Sequence, residues 1–211
     1  MVRVGLTGGL ACGKSTVAKM MADRGAYVVE ADKVAHELMS PGQQVFDEVV
    51  RLFGRTIVNE ADGKIDRKKL AEIAFGSGRI QELNAVVHPA VIAHQQEWME
   101  ELAARDPHAI AVWEAALILE ADVGRRFDKL VVVTCKADQK IDRYVHRAMK
   151  AGAAGPLAEI SLRKEAQRRI AAQIADEEKI KAADHVIDTS GPVTATERQV
   201  EKLMKELEAI A

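Results

Sequence analysis

Hydrophobic residues follow two alternating patterns along this chain. Short apolar runs are typical of buried strands, and apolar residues spaced three or four apart are typical of helices. Apolar runs predict strands at residues 2–6, 26–29, 109–113, 130–134 and 185–187. Helical patterns separate these runs, which indicates an α/β fold with a mostly parallel five-stranded sheet flanked by helices. The run at 130–134 is apolar throughout, as expected of a central strand covered on both faces.

Between residues 43 and 105 the strand pattern is interrupted. Spaced apolar residues predict a helix over 45–53, and a turn at 59–63 separates two short extended pieces. Further helices are predicted over 67–74, 79–87 and 89–104, with Pro89 in the first turn of the last, where its missing N–H costs nothing. We expect this region to form a helical lobe inserted into the sheet domain.

A basic region follows the fourth predicted strand. Residues 139–181 hold ten Lys and Arg residues against six Asp and Glu. The pattern predicts helices over 142–150 and 160–182, separated by a Gly/Ala/Pro break, and most of the lysines are expected on solvated faces. An arginine fork matches phosphate oxygens, so Arg147 is a candidate to reach a bound phosphate from a closing lid.

Thr194 and Glu197 have the spacing of a capping box and are predicted to open the C-terminal helix.

These patterns divide the chain into one domain with three parts. The predicted parts are a core (1–42, 106–138 and 183–211), an inserted helical lobe (43–105) and a helical lid (139–182).

Composition narrows the class of protein. Apolar residues make up 48% of the chain, charged residues 29%, and the net charge is −2. This charge argues against a general binder of nucleic acid or anionic membranes. No apolar run approaches the roughly 18 residues of a membrane span, and no signal peptide is expected before the first strand. The two cysteines, Cys12 and Cys135, do not suggest a disulfide framework, so we expect a cytoplasmic protein. A monomer is expected, and the sequence leaves an oligomer open.

Residues 8–15 fit the phosphate-loop pattern G-x-x-x-x-G-K-[ST] and lie between a predicted strand and a predicted helix, the context that the motif requires. Glycines let successive N–H groups turn toward an anion, and the helix N-terminus and the Lys14 ammonium add positive charge. Ser15 is placed to ligate Mg²⁺. The sequence therefore predicts a nucleoside triphosphate site formed by Gly8, Gly9, Ala11, Cys12, Gly13, Lys14, Ser15 and Thr16.

Acidic residues follow several predicted strands, and the carboxyl ends of parallel strands are where ligands bind in such sheets. Asp32 has two interpretations. Its carboxylate could accept the proton of an attacking hydroxyl or help to hold Mg²⁺, or it could be the N-cap of the next helix. Glu114 could support the metal or be a solvated strand end, and Glu30 also lies near this edge.

His36 and His88 lie in segments where an acceptor could bind, but a lone histidine is more often structural than functional. Neither has a Cys or His neighbour at ligand spacing, so no zinc site is predicted. A phosphate loop is also compatible with three other functions: a kinase for a small metabolite such as a nucleoside monophosphate or shikimate, a nucleotide switch, and a non-catalytic scaffold. The sequence contains no [NT]-K-x-D motif of guanine-specific switches, and the intact Lys14 and Ser15 disfavour a scaffold.

The order of these motifs along the chain resembles that of the dephospho-CoA kinase family. Its members are the phosphate-loop kinases that complete coenzyme A synthesis. The phosphate loop alone is shared by many families, and the ordered set is much more specific. The resemblance runs from Val4 to about Leu207. The matching segments are residues 5–9, 31–36, 83–89, 127–133, 169–173 and 183–191.

The resemblance implies ATP and Mg²⁺ as cofactors and dephospho-CoA as the acceptor. Asp32 would be the general base for the ribose 3′-hydroxyl and a metal ligand. Lys14 and Arg147 would act on the transferring phosphate, with Arg143 assisting. Asp188 and Ser190 would border the adenine. Acceptor contacts would come from Asp32, His36, His88, Pro89, Glu114 and Leu117. Residues 43–105 would form the CoA-binding lobe, which contains His88 and Pro89.

The chain departs from the family pattern at three places. Glu30 replaces the first Asp of a common Asp-Ala-Asp segment, and Asp32 keeps the second. Residues 114–120 lack the proline of the usual Asp-x-Pro-Leu-Leu-Phe-Glu segment and begin with the longer Glu114. The lid is longer around residues 151–161. None of these changes removes a group that phosphoryl transfer requires.

Overall fold

A computed structural model describes residues 1–120 and 124–211. Within these residues the chain forms nine helices and a sheet of five strands in the order β2-β3-β1-β4-β5, which confirms the predicted fold class. β1 pairs in parallel with β3 and β4, and β4 pairs in parallel with β5. The strands are β1 (Val2–Gly8), β2 (Tyr27–Glu30), β3 (Ile110–Glu114), β4 (Lys129–Thr134) and β5 (His185–Asp188).

The helices connect the strands and extend beyond them. No helix in the described ranges is both long and apolar enough to cross a membrane. In chain order the helices are α1 (Lys14–Ala22), α2 (Ala31–Leu38), α3 (Gln44–Phe53), α4 (Arg67–Gly76), α5 (Ile80–Arg105), α6 (Ala137–Lys150), α7 (Pro156–Ala171), α8 (Asp176–Ala182) and α9 (Val193–Glu208).

The chain divides into two compact units, Met1–Val29 with Leu102–Ala211, and Glu30–Glu101. The first unit contains the central sheet. Its core includes apolar residues of β1, β3 and β4, which pack with α1 and α9. Five residues of this core are fully buried, with 0% of their surface exposed: Val4, Leu6, Val17, Met21 and Leu207. Burial of this kind supplies most of the free energy that holds such a sheet together.

The second unit has a hydrophobic core of its own. Val49, Phe53, Ile57 and Leu70 are buried and pack together, and these residues come from α3, the short 3₁₀ turn after it, and α4. Phe53 also packs under the Arg79 guanidinium, 4.6 Å from the ring centroid. This core explains how the unit remains compact without strands of a large sheet.

The structure corrects the predicted break at Pro89. Residues 80–105 form the single helix α5, and Pro89 lies inside it instead of opening a new helix. An internal proline removes one helix hydrogen bond and costs about 3 kcal/mol or more. Burial of Val87, Met99 and Leu102 on the same helix offsets that cost.

Three other boundaries differ from prediction. α6 begins at Ala137 rather than at residue 142. The predicted helix over 160–182 is two helices, and the acidic residues 176–178 stabilise the N-terminus of the second, α8, by their charge. The predicted capping box is wrong, because Pro192 is the N-cap of α9 and Thr194 lies inside the first turn.

Candidate active site

The phosphate loop connects β1 to α1 at the carboxyl edge of the sheet. Gly8 ends β1 opposite Val133 of β4, and Gly13 is the N-cap of α1 in the left-handed conformation, with φ of 94°. A methyl group on Gly8 would lie 2.2 Å from the backbone oxygen of Val133. Glycine is therefore required at both ends of the loop, for space at Gly8 and for backbone conformation at Gly13.

The loop borders a cavity of about 190 Å³. Lys14 lies over the loop, and its ammonium donates to the carbonyl oxygens of Gly8 and Gly9 at 3.2 and 3.4 Å. Arg143 and Arg147 lie one helical turn apart on α6 and place two further positive charges at the cavity. The cavity is lined by Ala11, Cys12, Gly13, Lys14, Ser15, Thr16, Arg143 and Arg147.

Thr189 fixes one of these arginines to the loop. The Arg143 guanidinium donates to the Thr189 hydroxyl at 2.9 Å and to its carbonyl oxygen at 2.7 Å. The same hydroxyl donates to the buried carbonyl oxygen of Cys12 at 2.7 Å. The sequence indicated Asp188 and Ser190 as site residues, but Thr189 between them was missed. Its position within the matching segment 183–191 was the signal that could have found it.

A second cavity of about 170 Å³ shares Gly13, Thr16 and Arg143 with the first. Its remaining walls come from α1, from α9 and from the segment that joins β5 to α9. Apolar side chains contribute much of its surface, so it can accept a flat, weakly polar group beside the charged cavity. These remaining lining residues are Met20, Thr189, Gly191, Val193 and Thr196.

Asp188 and Ser190 lie beside this segment and organise its backbone. Asp188 is exposed at the end of β5, and its carboxylate accepts the Ser190 N–H at 2.8 Å. The hydrogen bonds from Ser190 lower the pKa of Asp188 below its ordinary value. The Ser190 hydroxyl accepts the backbone N–H of Lys136 at 3.1 Å, which connects the start of α6 to the same segment.

Glu114 lies beside the start of α1. It ends β3 opposite Leu6 of β1, and the Ser15 hydroxyl donates to its carboxylate at 3.3 Å. Glu114 is only 8% exposed, so the interpretation as a solvated strand end is wrong. Leu117, in the segment that follows, is exposed. The residues that the structure describes contain no group of three or more His, Cys, Asp and Glu side chains arranged to hold a metal.

Asp32 and His36 belong to the second compact unit and lie one turn apart on α2. Glu30 is the N-cap of this helix, and exposed Asp32 lies in the first turn, so the N-cap interpretation of Asp32 is wrong. His36 contacts the Arg67 guanidinium, whose Nη1 is 2.8 Å from Nε2. Burial and the Arg67 charge lower the pKa of His36, and the nearby Asp32 charge opposes this shift.

His88 and Pro89 belong to the same unit, within α5. His88 is half-buried, and Pro89 is exposed. The structure therefore divides the predicted site residues between the two units: the phosphate loop, the arginines, Glu114 and the end of β5 are in the first, and Asp32, His36, His88 and Pro89 are in the second.

Comparison with known proteins decides the family. The family model described as dephospho-CoA kinase matches residues 2–195, nearly the whole chain. This chain belongs to the dephospho-CoA kinase family. The family indicated by the ordered motifs is confirmed, and the prediction that the protein is a kinase is confirmed with it.

Relatives in this family match over almost their full length. The chain is 37% identical to the dephospho-CoA kinase of Aquifex aeolicus over 98% of both chains. It is 38% identical to that of Leifsonia xyli subsp. xyli, over 96% of this chain and 97% of the relative. Its fold is similar to the crystal structure of TT1252 from Thermus thermophilus, with a TM-score of 0.74 and 29% identity, covering 98% of this chain and 97% of the other.

In this dephospho-CoA kinase family member, two lysines of the basic region depart from the expected solvated face. Lys140 is 3% exposed and pairs with Asp176, and Lys179 is fully buried with its ammonium 2.8 Å from Glu120. Lys150, like Lys164 and Lys181, is exposed as predicted. A buried ion pair is costly to break from one side, so these lysines have a structural role that charge counting does not reveal.

Proposed function

We propose that this chain transfers the γ-phosphoryl group of ATP to the ribose 3′-hydroxyl of dephospho-CoA, giving coenzyme A and ADP. The observation that carries the proposal is the cavity in which Lys14 of the phosphate loop faces Arg143 and Arg147 of α6. Family membership supplies the acceptor. Phosphoryl transfer needs alignment of two oxygens and neutralisation of charge more than covalent chemistry, and the charged cavity suits both needs.

The triphosphate would occupy the cavity between loop and α6. Its oxygens would accept from loop amides, from the Lys14 ammonium and from the two arginines. The free N-terminal amides of α1 add partial positive charge at the same place. The adjoining cavity, with Met20 and Val193 in its wall, would hold the adenine, and Asp188 and Ser190 would border it.

The residues around Ser15 fit Mg²⁺. A hydroxyl hydrogen-bonded to a buried carboxylate offers hard oxygen donors, which this ion prefers. We propose that Ser15 holds the ion directly, that Glu114 orients the Ser15 hydroxyl, and that Asp32 assists as predicted. When bound, the ion would neutralise charge on the β- and γ-phosphates.

Asp32 would be the general base. In the proposed step, a bond forms between the ribose O3′ and the γ-phosphorus, the bond from that phosphorus to the bridging oxygen of ADP breaks, and the hydroxyl proton passes to the Asp32 carboxylate. The exposed position of Asp32 in the first turn of α2 keeps its carboxylate accessible to an acceptor. The lobe (43–105) would bind the acceptor, and the lid (139–182) would exclude water. Acceptor contacts are proposed for His36, His88, Pro89, Glu114 and Leu117.

The test compares two aspartates in matched positions. Asp47 is also exposed in the first turn of a helix, α3, so Asp47→Asn is the control for Asp32→Asn. We expect Asp32→Asn to lower kcat by about 10²–10⁴-fold with ATP affinity nearly unchanged. Asp47→Asn should leave both unchanged. Turnover by Asp32→Asn within a few-fold of wild type would show that Asp32 is not the base.

A coupled ADP-release assay with and without dephospho-CoA tests the acceptor. Shikimate and nucleoside monophosphates are offered in parallel, since kinases with a phosphate loop also act on other small metabolites. ADP release that depends on dephospho-CoA supports the proposal. Release that depends on another acceptor replaces it, and nucleotide binding without acceptor-dependent release would favour a switch or scaffold.

The cellular location, the absence of nucleic-acid binding and the oligomeric state of the enzyme are also proposed. Cys12 and Cys135 are buried free thiols, which suits a cytoplasmic protein. The net charge of −2 suits a protein that does not bind nucleic acid. We propose a monomer, which light scattering coupled to gel filtration tests directly.

A further inference from the structure

The segment that joins α7 to α8 contacts the phosphate loop. We define this connector as residues 172–175, between Ala171 and Asp176. The Leu10 N–H of the loop donates to the Gln173 side-chain oxygen at 3.0 Å. The next connector residue, Ile174, donates its N–H to Glu120 at 3.3 Å. The connector is thus hydrogen-bonded both to the loop and to the segment after β3.

Asp176, at the start of α8, strengthens this attachment. Its carboxylate pairs with buried Lys140 of α6 and accepts from the Thr134 hydroxyl at 3.1 Å. Lys140 lies directly against the loop, because a methyl group on Gly9 would be 2.7 Å from its ammonium nitrogen. The same ion pair therefore fixes the connector and borders the loop.

The loop residue after Leu10 is in an unfavourable conformation. Ala11 has φ of 53°, in the left-handed region, which is sterically unfavourable for a residue with a side chain. On one side of Ala11 the Leu10 amide is bonded to Gln173, and on the other side the Cys12 carbonyl oxygen is bonded to Thr189. Such strain persists only where the surroundings hold it.

We propose that Gln173 is a positioning residue that holds the phosphate loop, through the Leu10 amide, in the conformation that receives the triphosphate. It acts through Leu10 and does not contact the nucleotide. Because the connector also ends α7, the loop conformation and the base of the proposed lid depend on the same segment. The inference rests on the proposed function for its ligand, ATP.

Replacement of Gln173 should weaken ATP binding selectively. Gln173→Leu removes the acceptor of the Leu10 amide, and we expect the Kd for ATP, measured by calorimetry, to rise about tenfold. The KM for dephospho-CoA should change less than twofold. Gln167→Leu is the matched control, because Gln167 is an exposed glutamine of α7. A purely structural role would lower Tm and leave the Kd for ATP unchanged at temperatures where the variant is folded.

A second variant tests the mechanism. Glycine adopts the left-handed conformation without a steric penalty, so Ala11→Gly should partly replace the support that Gln173 gives. We expect the change that Ala11→Gly makes in the Kd for ATP to be at least threefold more favourable in the Gln173→Leu background than in wild type. If Gln173→Leu does not fold, Gln173→Ala removes the same acceptor and takes its place.

Three outcomes would overturn the inference: an unchanged Kd for ATP in Gln173→Leu, an equal rise in Gln167→Leu, or the same effect of Ala11→Gly in both backgrounds. Failure of the proposed function is distinguishable from these. A wild-type chain that binds ATP but does not phosphorylate dephospho-CoA would refute that function, while the dependence of ATP affinity on Gln173 would still stand.

Discussion

Replacement of Thr189 by valine tests how the phosphate loop is held. Valine keeps the shape of the side chain and removes its hydroxyl, so the Cys12 carbonyl oxygen loses the donor at 2.7 Å. Cys12 is fully buried and Thr189 is 7% exposed, so water has little access to replace this bond. Arg143 loses the bond to the hydroxyl but keeps the one to the Thr189 carbonyl oxygen.

The expected loss of stability follows from the Cys12 carbonyl oxygen, which Thr189→Val leaves without a donor. A buried acceptor without a partner costs about 1–3 kcal/mol. For a chain of this size each kcal/mol lowers Tm by about 2–4 °C, so Tm should fall by roughly 2–12 °C. Since Arg143 also loses one of its two anchors beside the cavity, we expect ATP affinity to fall several-fold.

Thermal unfolding followed by circular dichroism measures the first effect, and calorimetric titration with ATP measures the second. Thr189→Ser keeps the hydroxyl and loses one methyl group, which costs about 0.8 kcal/mol. Thr194→Val makes the same chemical change at an exposed threonine of α9 and should be neutral. If Thr189→Val is no less stable than Thr189→Ser, the hydroxyl does not hold the loop and the reasoning fails.

Two other predictions concern packing and charge. Gly8→Ala should prevent folding or lower Tm severely, because its methyl group meets the Val133 backbone oxygen at 2.2 Å. The control Gly76→Ala has open space around it and lies in α4, where alanine is favoured over glycine, so it should not lower Tm in thermal unfolding. By NMR titration, His36 should have a midpoint below 6.5, and Arg67→Gln should raise it because a cation is removed. Because the folded pKa of His36 is depressed, its contribution to stability should be lost as pH falls from about 6.5 through that pKa, and an unchanged midpoint in Arg67→Gln would contradict this reasoning.

The strands could be predicted because each is a local apolar run, and the phosphate loop because its motif lies between a strand and a helix. Helix ends were less predictable where distant groups decide them. Pro89 indicates a helix start by local rules, yet burial along α5 holds the helix together across it. At the break between α7 and α8, Gln173 accepts a hydrogen bond from the Leu10 N–H and the Ile174 N–H donates one to Glu120, and both partners are far away in sequence.

The sequence predicted some residues of the candidate site but not the long-range contacts that hold them. The motif located Lys14 and Ser15, the pattern of the basic region indicated Arg147, and the family resemblance added Arg143. The hydrogen bond between Thr189 and Cys12 joins residues 177 positions apart, and no local pattern signals it. Burial of Glu114 was equally hidden, because a carboxylate at a strand end is compatible with solvent or with a site.

The anchors of the phosphate loop explain why a motif alone is weak evidence for function. Gly8 is packed against β4, the Cys12 carbonyl oxygen is held from the end of β5, and the Leu10 amide is held by Gln173 of the connector. Each anchor comes from a different part of the first unit, and between them Ala11 keeps an unfavourable backbone conformation. The cup that would receive a triphosphate is therefore a property of the folded unit. The same letters in another chain, without these anchors, need not form it.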